Sequence, residues 1–64
     1  NSRTIDFHHA GNKWKITYFP DTDTVHANIV SGDLKGAGLC VQRVCLKGAM
    51  LEAVNNAFLG DFNR

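Results

Sequence analysis

Little in this sequence exists in excess, and most of the shortages exclude something. No apolar run approaches the ~18 residues that a membrane-spanning helix needs, and no signal-peptide pattern is visible. A single proline and 44% hydrophobic residues exclude a disordered tail or linker. Charge of neither sign dominates: the formal net charge is +1, so composition favours a polyanion partner only slightly. Cysteine is scarce too, with Cys40 and Cys45 alone. On one helix that spacing rotates the side chains about 500° apart, and on one strand it sends them to opposite faces, so a disulfide between them is not expected. Reduced, buried cysteines are expected, as in a cytoplasmic protein.

Length is the last shortage. Sixty-four residues allow one small domain, taken here as residues 1–64, with a core built on Phe7, Trp14, Ile16, Tyr18 and Phe58. The first residue is Asn1 rather than Met, which leaves open a fragment of a longer chain. A chain this short has little room for a deep substrate pocket. The expectation is a protein that is not an enzyme and needs no cofactor.

Two turn signals are present. Gly11-Asn12 is a dipeptide that tolerates positive φ at both positions, as a two-residue hairpin loop requires. Folding there pairs His9 with Trp14, His8 with Lys15, Phe7 with Ile16, Asp6 with Thr17 and Ile5 with Tyr18. Apolar residues then sort to one face. The second signal is "FPDTDT", with Pro20 suited to the i+1 position of a type I turn. A loop over residues 20–23 pairs Phe19 with Thr24, Tyr18 with Val25, Thr17 with His26, Ile16 with Ala27, Lys15 with Asn28 and Trp14 with Ile29. The two turns give consistent faces.

"SGDLKGAG" reads as a long turn. In "LCVQRVCL" the apolar phase of 40–45 does not match that of 50–58, which fits either a helix kinked near Gly48 or a fourth strand over residues 39–46 bounded by Gly38 and Gly48, the strand being slightly favoured. "AMLEAVNNAFLGDF" reads as a helix with Met50, Leu51, Ala53, Val54, Ala57 and Phe58 on its apolar arc and Gly60 as its C′ residue. The expected fold is α+β: a small antiparallel sheet of three or four strands in a meander, one face covered by the C-terminal helix.

The adjacent histidines of "DFHHAGNKWKITYF" then separate. His9 joins Trp14 at the rim of the core face as a packed residue, while His8 joins Lys15 and Asn28 on the polar face. His26 lies on that polar face in the row Asp6–Thr17–His26. Residues two strands apart are ~9.6 Å from each other, too far to share a zinc ion readily. As a triad the row is in the wrong order, because Thr17 lies between the base and its carboxylate, and an open sheet surface offers no oxyanion hole. No metal site and no catalytic residue is expected.

Binding is the remaining reading. Lys13, Lys15, His8, His26 and Asn28 occupy the polar face, with Arg3 on the strand-1 side; Phe19 and Val30 fall on the same face and Leu59 and Phe62 flank the helix end. Exposed apolar residues and an open sheet edge suit a protein-interaction or inhibitory module that docks on a partner protein or a second copy. The alternative is a nucleic-acid-binding module, in which lysines meet phosphates while His26 and Asn28 reach base edges. Three antiparallel strands followed by a helix resemble, in element order, the arm-binding domains of tyrosine recombinases, the plant AP2 domain and the last four elements of double-stranded-RNA-binding domains. That resemblance implies nucleic acid as partner. It stops at element order: Lys35, Arg43 and Lys47 are scattered where the RNA-binding domains have a basic cluster, and the Arg and Trp pattern of AP2 strands is absent.

Overall fold

A computed structural model describes residues 2–59. The strands are β1 (Arg3–His9), β2 (Asn12–Phe19), β3 (Thr24–Ser31) and β4 (Gly38–Gln42). A short 3-10 turn (Arg43–Cys45) leads to the helix α1 (Gly48–Phe58). The sheet is a four-stranded antiparallel meander in the order β1-β2-β3-β4. The fold is therefore α+β, with the helix on one side of the sheet.

Strand periodicity explains the layering. Residues two apart share a face, and Ile16, Tyr18, Val25, Ala27 and Ile29 are all buried. Val54 and Phe58 come down on them from α1, and Leu46 is buried as the chain crosses from β4 to the helix. Ile5, Phe7, Trp14, Leu39 and Val41 pack around this cluster as partly buried neighbours. The Tyr18 and Phe58 rings stack at 5.4 Å between centroids, tying the middle of the sheet to the end of the helix. Gly60 and Phe62 lie outside the described residues.

The loop over residues 20–23 sets the β2–β3 register as expected, from Phe19↔Thr24 to Trp14↔Ile29. Beyond that the ladder slips, and Lys13 pairs with Ser31, leaving Val30 as the extra residue of a bulge. Residues 38–42 form the fourth strand, shorter than the 39–46 anticipated because Arg43–Cys45 turn out of the sheet. The fourth strand also changes the element order, which is no longer three strands followed directly by a helix.

The first hairpin differs from its expected register. Its loop is Ala10-Gly11, both at positive φ (51° and 77°), so Phe7 pairs with Trp14, Ile5 with Ile16 and Asp6 with Lys15. Each partner moves by two residues, which leaves Ile5, Asp6, Phe7 and His8 on their anticipated faces. Asn12 decides the difference. It is the first residue of β2 and is buried; its Nδ2 donates to Ala10 O (3.2 Å) and its Oδ1 accepts from Leu34 N (3.2 Å). Gly32, at φ 118°, lets the β3–β4 loop close over it. A loop at Gly11-Asn12 would forfeit this buried site.

Candidate binding face

The face of the sheet opposite α1 is built by alternation. Its cross-strand rows are Thr4–Thr17–His26–Cys40 and Asp6–Lys15–Asn28–Gly38, with His8 opposite Lys13. Lys15, His8 and His26 are exposed, and Lys13 and Asn28 are half-buried. Phe19, at the end of β2, retains 40% of its surface. Val30 is half-buried at the bulge. The strands thus bring His8, Lys13, Lys15, Phe19, His26 and Asn28 onto one face.

Arg3 does not join them. It pairs with Tyr18, and its guanidinium lies 5.7 Å from the centroid of the Phe58 ring, on the helix side. Odd-numbered β1 residues share the core face, so parity alone would have placed Arg3 there. With Tyr18, Pro20, Asp23, Phe58 and Leu59 it lines an open cavity of about 370 Å³.

Electrostatically the face is lopsided. The outward positions of β2, β3 and β4 carry lysines, hydroxyls, an imidazole and amides but no carboxylate. Asp6 on β1 is the one acidic residue among these rows, and it meets Lys13 Nζ at 3.7 Å with the Lys13 and Asp6 side chains 41% and 60% exposed. An exposed pair at that distance holds its partners loosely. Thr4 and Thr17 share a hydroxyl hydrogen bond of 3.0 Å.

The histidines settle differently from the sequence reading. His9 stands opposite Asn12 rather than Trp14 and is exposed; its ring stacks on that of Phe7 at 5.7 Å. His26 has Thr17 and Cys40 for neighbours, and Asp6 belongs to the next row, so the row Asp6–Thr17–His26 does not form. Among the described residues no three of His, Cys, Asp and Glu gather as a metal site would require. Cys40 and Cys45 are free, and both are exposed rather than buried. For Cys40 the cause is parity, since β4 turns Leu39 and Val41 towards the core.

A second polar cluster was not foreseen. Asp23 closes the β2–β3 loop at φ 53°, a left-handed conformation that Asp tolerates better than most residues. Its Oδ1 accepts from Tyr18 Oη (2.6 Å) and Arg43 Nε (2.8 Å), and its Oδ2 from Arg43 Nη2 (3.1 Å). Arg43 Nη1 reaches Asn55 Oδ1 on α1 at 3.4 Å. The Arg43 guanidinium, with help from the Tyr18 hydroxyl, holds the Asp23 carboxyl below its ordinary range. The hydrogen bond to that carboxylate, then burial, push the Tyr18 phenol up. This cluster clamps loop, 3-10 turn and helix together. Its only sequence signal was Arg43 standing among apolar residues, and its partner lies twenty positions away.

Comparison with family models, with curated proteins and with solved structures gave no match. No helix among the described residues is long and apolar enough to cross a membrane.

Proposed function

We propose that the protein is a small non-enzymatic interaction module of the cytoplasm, acting by docking its uncovered sheet face on a partner protein in an inhibitory or regulatory role. The observation that carries this reading is the mixed character of that face: an aromatic ring, Phe19, 40% exposed, beside a field of hydrogen-bonding and cationic side chains. Interfaces use such a ring as an anchor and such polar groups as a rim. The lack of carboxylates across the outward positions of β2–β4 suits an acidic partner surface. Free thiols on the surface suit a reducing compartment.

A second reading has its own support. Lys13 and Lys15 stand on a central strand next to His26 and Asn28, the combination with which a sheet can meet phosphates and base edges. One experiment separates the two. Partner capture from cell extract, followed by identification, is compared for the wild type, Phe19→Ser and Lys13→Ala/Lys15→Ala, alongside titration with a random-sequence duplex at low and high salt. Docking on protein predicts a nuclease-resistant partner lost in Phe19→Ser and no duplex binding. Duplex binding that falls steeply with salt and disappears in the double lysine variant would replace protein by nucleic acid. Partner capture unchanged in both variants refutes the sheet face as the docking surface.

A further inference from the structure

The backbone of β4 carries an inference that does not depend on what docks on the sheet face. Arg43 N donates to Asp23 O (2.8 Å) and Ile29 N donates to Ala37 O (2.8 Å); each is a single bond just beyond an end of the β3–β4 ladder, and both place 23/43 and 29/37 in the hydrogen-bonded phase of that ladder. Bonded and non-bonded pairs alternate along an antiparallel ladder. Between those ends the bonded pairs are Val25/Val41 and Ala27/Leu39, and the non-bonded pairs are Thr24/Gln42, His26/Cys40 and Asn28/Gly38. The N–H and C=O groups of Gly38, Cys40 and Gln42 therefore point away from β3, towards the side on which no strand lies among the described residues.

The two edges of the sheet are not alike. β1 carries Arg3, Asp6, His8 and His9, charged or ionisable groups of the kind that guard an edge. β4 reads Gly-Leu-Cys-Val-Gln, with no charge and no proline. Its alternation is also self-complementary. Antiparallel pairing with a second β4 about a two-fold axis at Cys40 sets Gly38 opposite Gln42, Cys40 opposite Cys40 and Leu39 opposite Val41. Every outward donor then meets an outward acceptor. Of the registers that match outward groups to outward groups, this one pairs the whole strand. It also brings each half-buried Leu39 against the half-buried Val41 of the other copy on the helix side.

We propose that β4 is a self-association edge, and that two copies of this chain pair β4 to β4 about Cys40 into one continuous sheet. Such an interface is isologous, so it closes at the dimer. The uncovered face is doubled in extent, and the two Cys40 side chains meet at its centre beside the two His26 rings.

Sedimentation of the purified chain tests this without any partner. The expected mass is that of two chains. Cys40→Pro removes an N–H that points outward and leaves the bonds to β3 in place; an edge strand accepts proline there. That variant should sediment as one chain. Should Cys40→Pro fail to fold, Cys40→Lys, which opposes like charges across the two-fold axis, must give the same loss of dimer. In a Cys45→Ser background a short bis-maleimide should join two chains through Cys40. A wild type that stays a single chain at every concentration overturns the proposal, as does a dimer that survives substitution at Cys40. Loss of partner capture in Phe19→Ser would leave this result untouched, because it is read from mass alone.

Discussion

Replacing Asp23 with Ala removes the acceptor for Tyr18 Oη and for both nitrogens of the Arg43 fork at one stroke. A charge-assisted hydrogen bond contributes roughly 1.5–3 kcal/mol when desolvated. Here the Asp23 side chain keeps 38% of its surface and Arg43 keeps 24%, so solvent screening brings the ion pair nearer to about 1 kcal/mol. Two further costs add to it. The buried Tyr18 hydroxyl loses its partner, about 1 kcal/mol, and Ala is a poor fit at φ 53°, costing about 1 kcal/mol more. Asp23→Ala should therefore destabilise by about 3 kcal/mol, most of what a domain this size has to lose. Asp23→Asn keeps the left-handed backbone and an acceptor for Tyr18, and should lose only about 1 kcal/mol. The assay is urea unfolding followed by Trp14 fluorescence. The pH dependence carries its own signature. Because the folded carboxyl titrates below its ordinary value of 3.8, its contribution is complete above that pH and is lost as pH falls below it towards the depressed folded value. The Tyr18 phenol, raised above its ordinary 10.0, withdraws its contribution as pH climbs past that value. Equal stabilities for Asp23→Ala and wild type at neutral pH, or an Asp23→Asn variant whose acid unfolding below pH 3.8 matches the wild type, would refute the clamp.

Two other perturbations test the first hairpin and its packing. Ala10→Asn should stabilise by about 0.5–1 kcal/mol, since Asn-Gly suits a turn with positive φ at both positions better than Ala-Gly does; a lower denaturation midpoint would show that Ala10 is held by something other than the turn. Gly32→Ala should cost about 2–3 kcal/mol, because a Cβ there strikes Asn12 Oδ1 and comes within 2.9 Å of Gly11 O at a φ of 118°; an unchanged melting temperature would mean that the loop is not seated on Asn12.

How far the sequence determined this protein follows from the range of the forces involved. Alternation along a strand is local, so residue parity alone placed Ile16 and Tyr18 on the core face and Lys15 and His26 on the opposite one. The "FPDTDT" turn was sufficient for the β2–β3 register because Pro20 and the residues after it fix their own backbone. The helix over Gly48–Phe58 was legible from its apolar arc. What failed depended on contacts between distant residues. Gly11-Asn12 is the better turn dipeptide taken alone, yet the chain turns one residue earlier because Asn12 is worth more buried beneath Gly32 and Leu34. Arg43 has its carboxylate partner twenty positions away, so the clamp forms only when the folded chain brings Asp23 beside it, at the point where β4 ends and the 3-10 turn begins. The exposure of Cys40 and the outward aim of its backbone were fixed only when β4 joined β3 in one register. Local periodicity decided the faces; where the turns fell and which edge stayed open were decided by side chains that meet only in the folded chain.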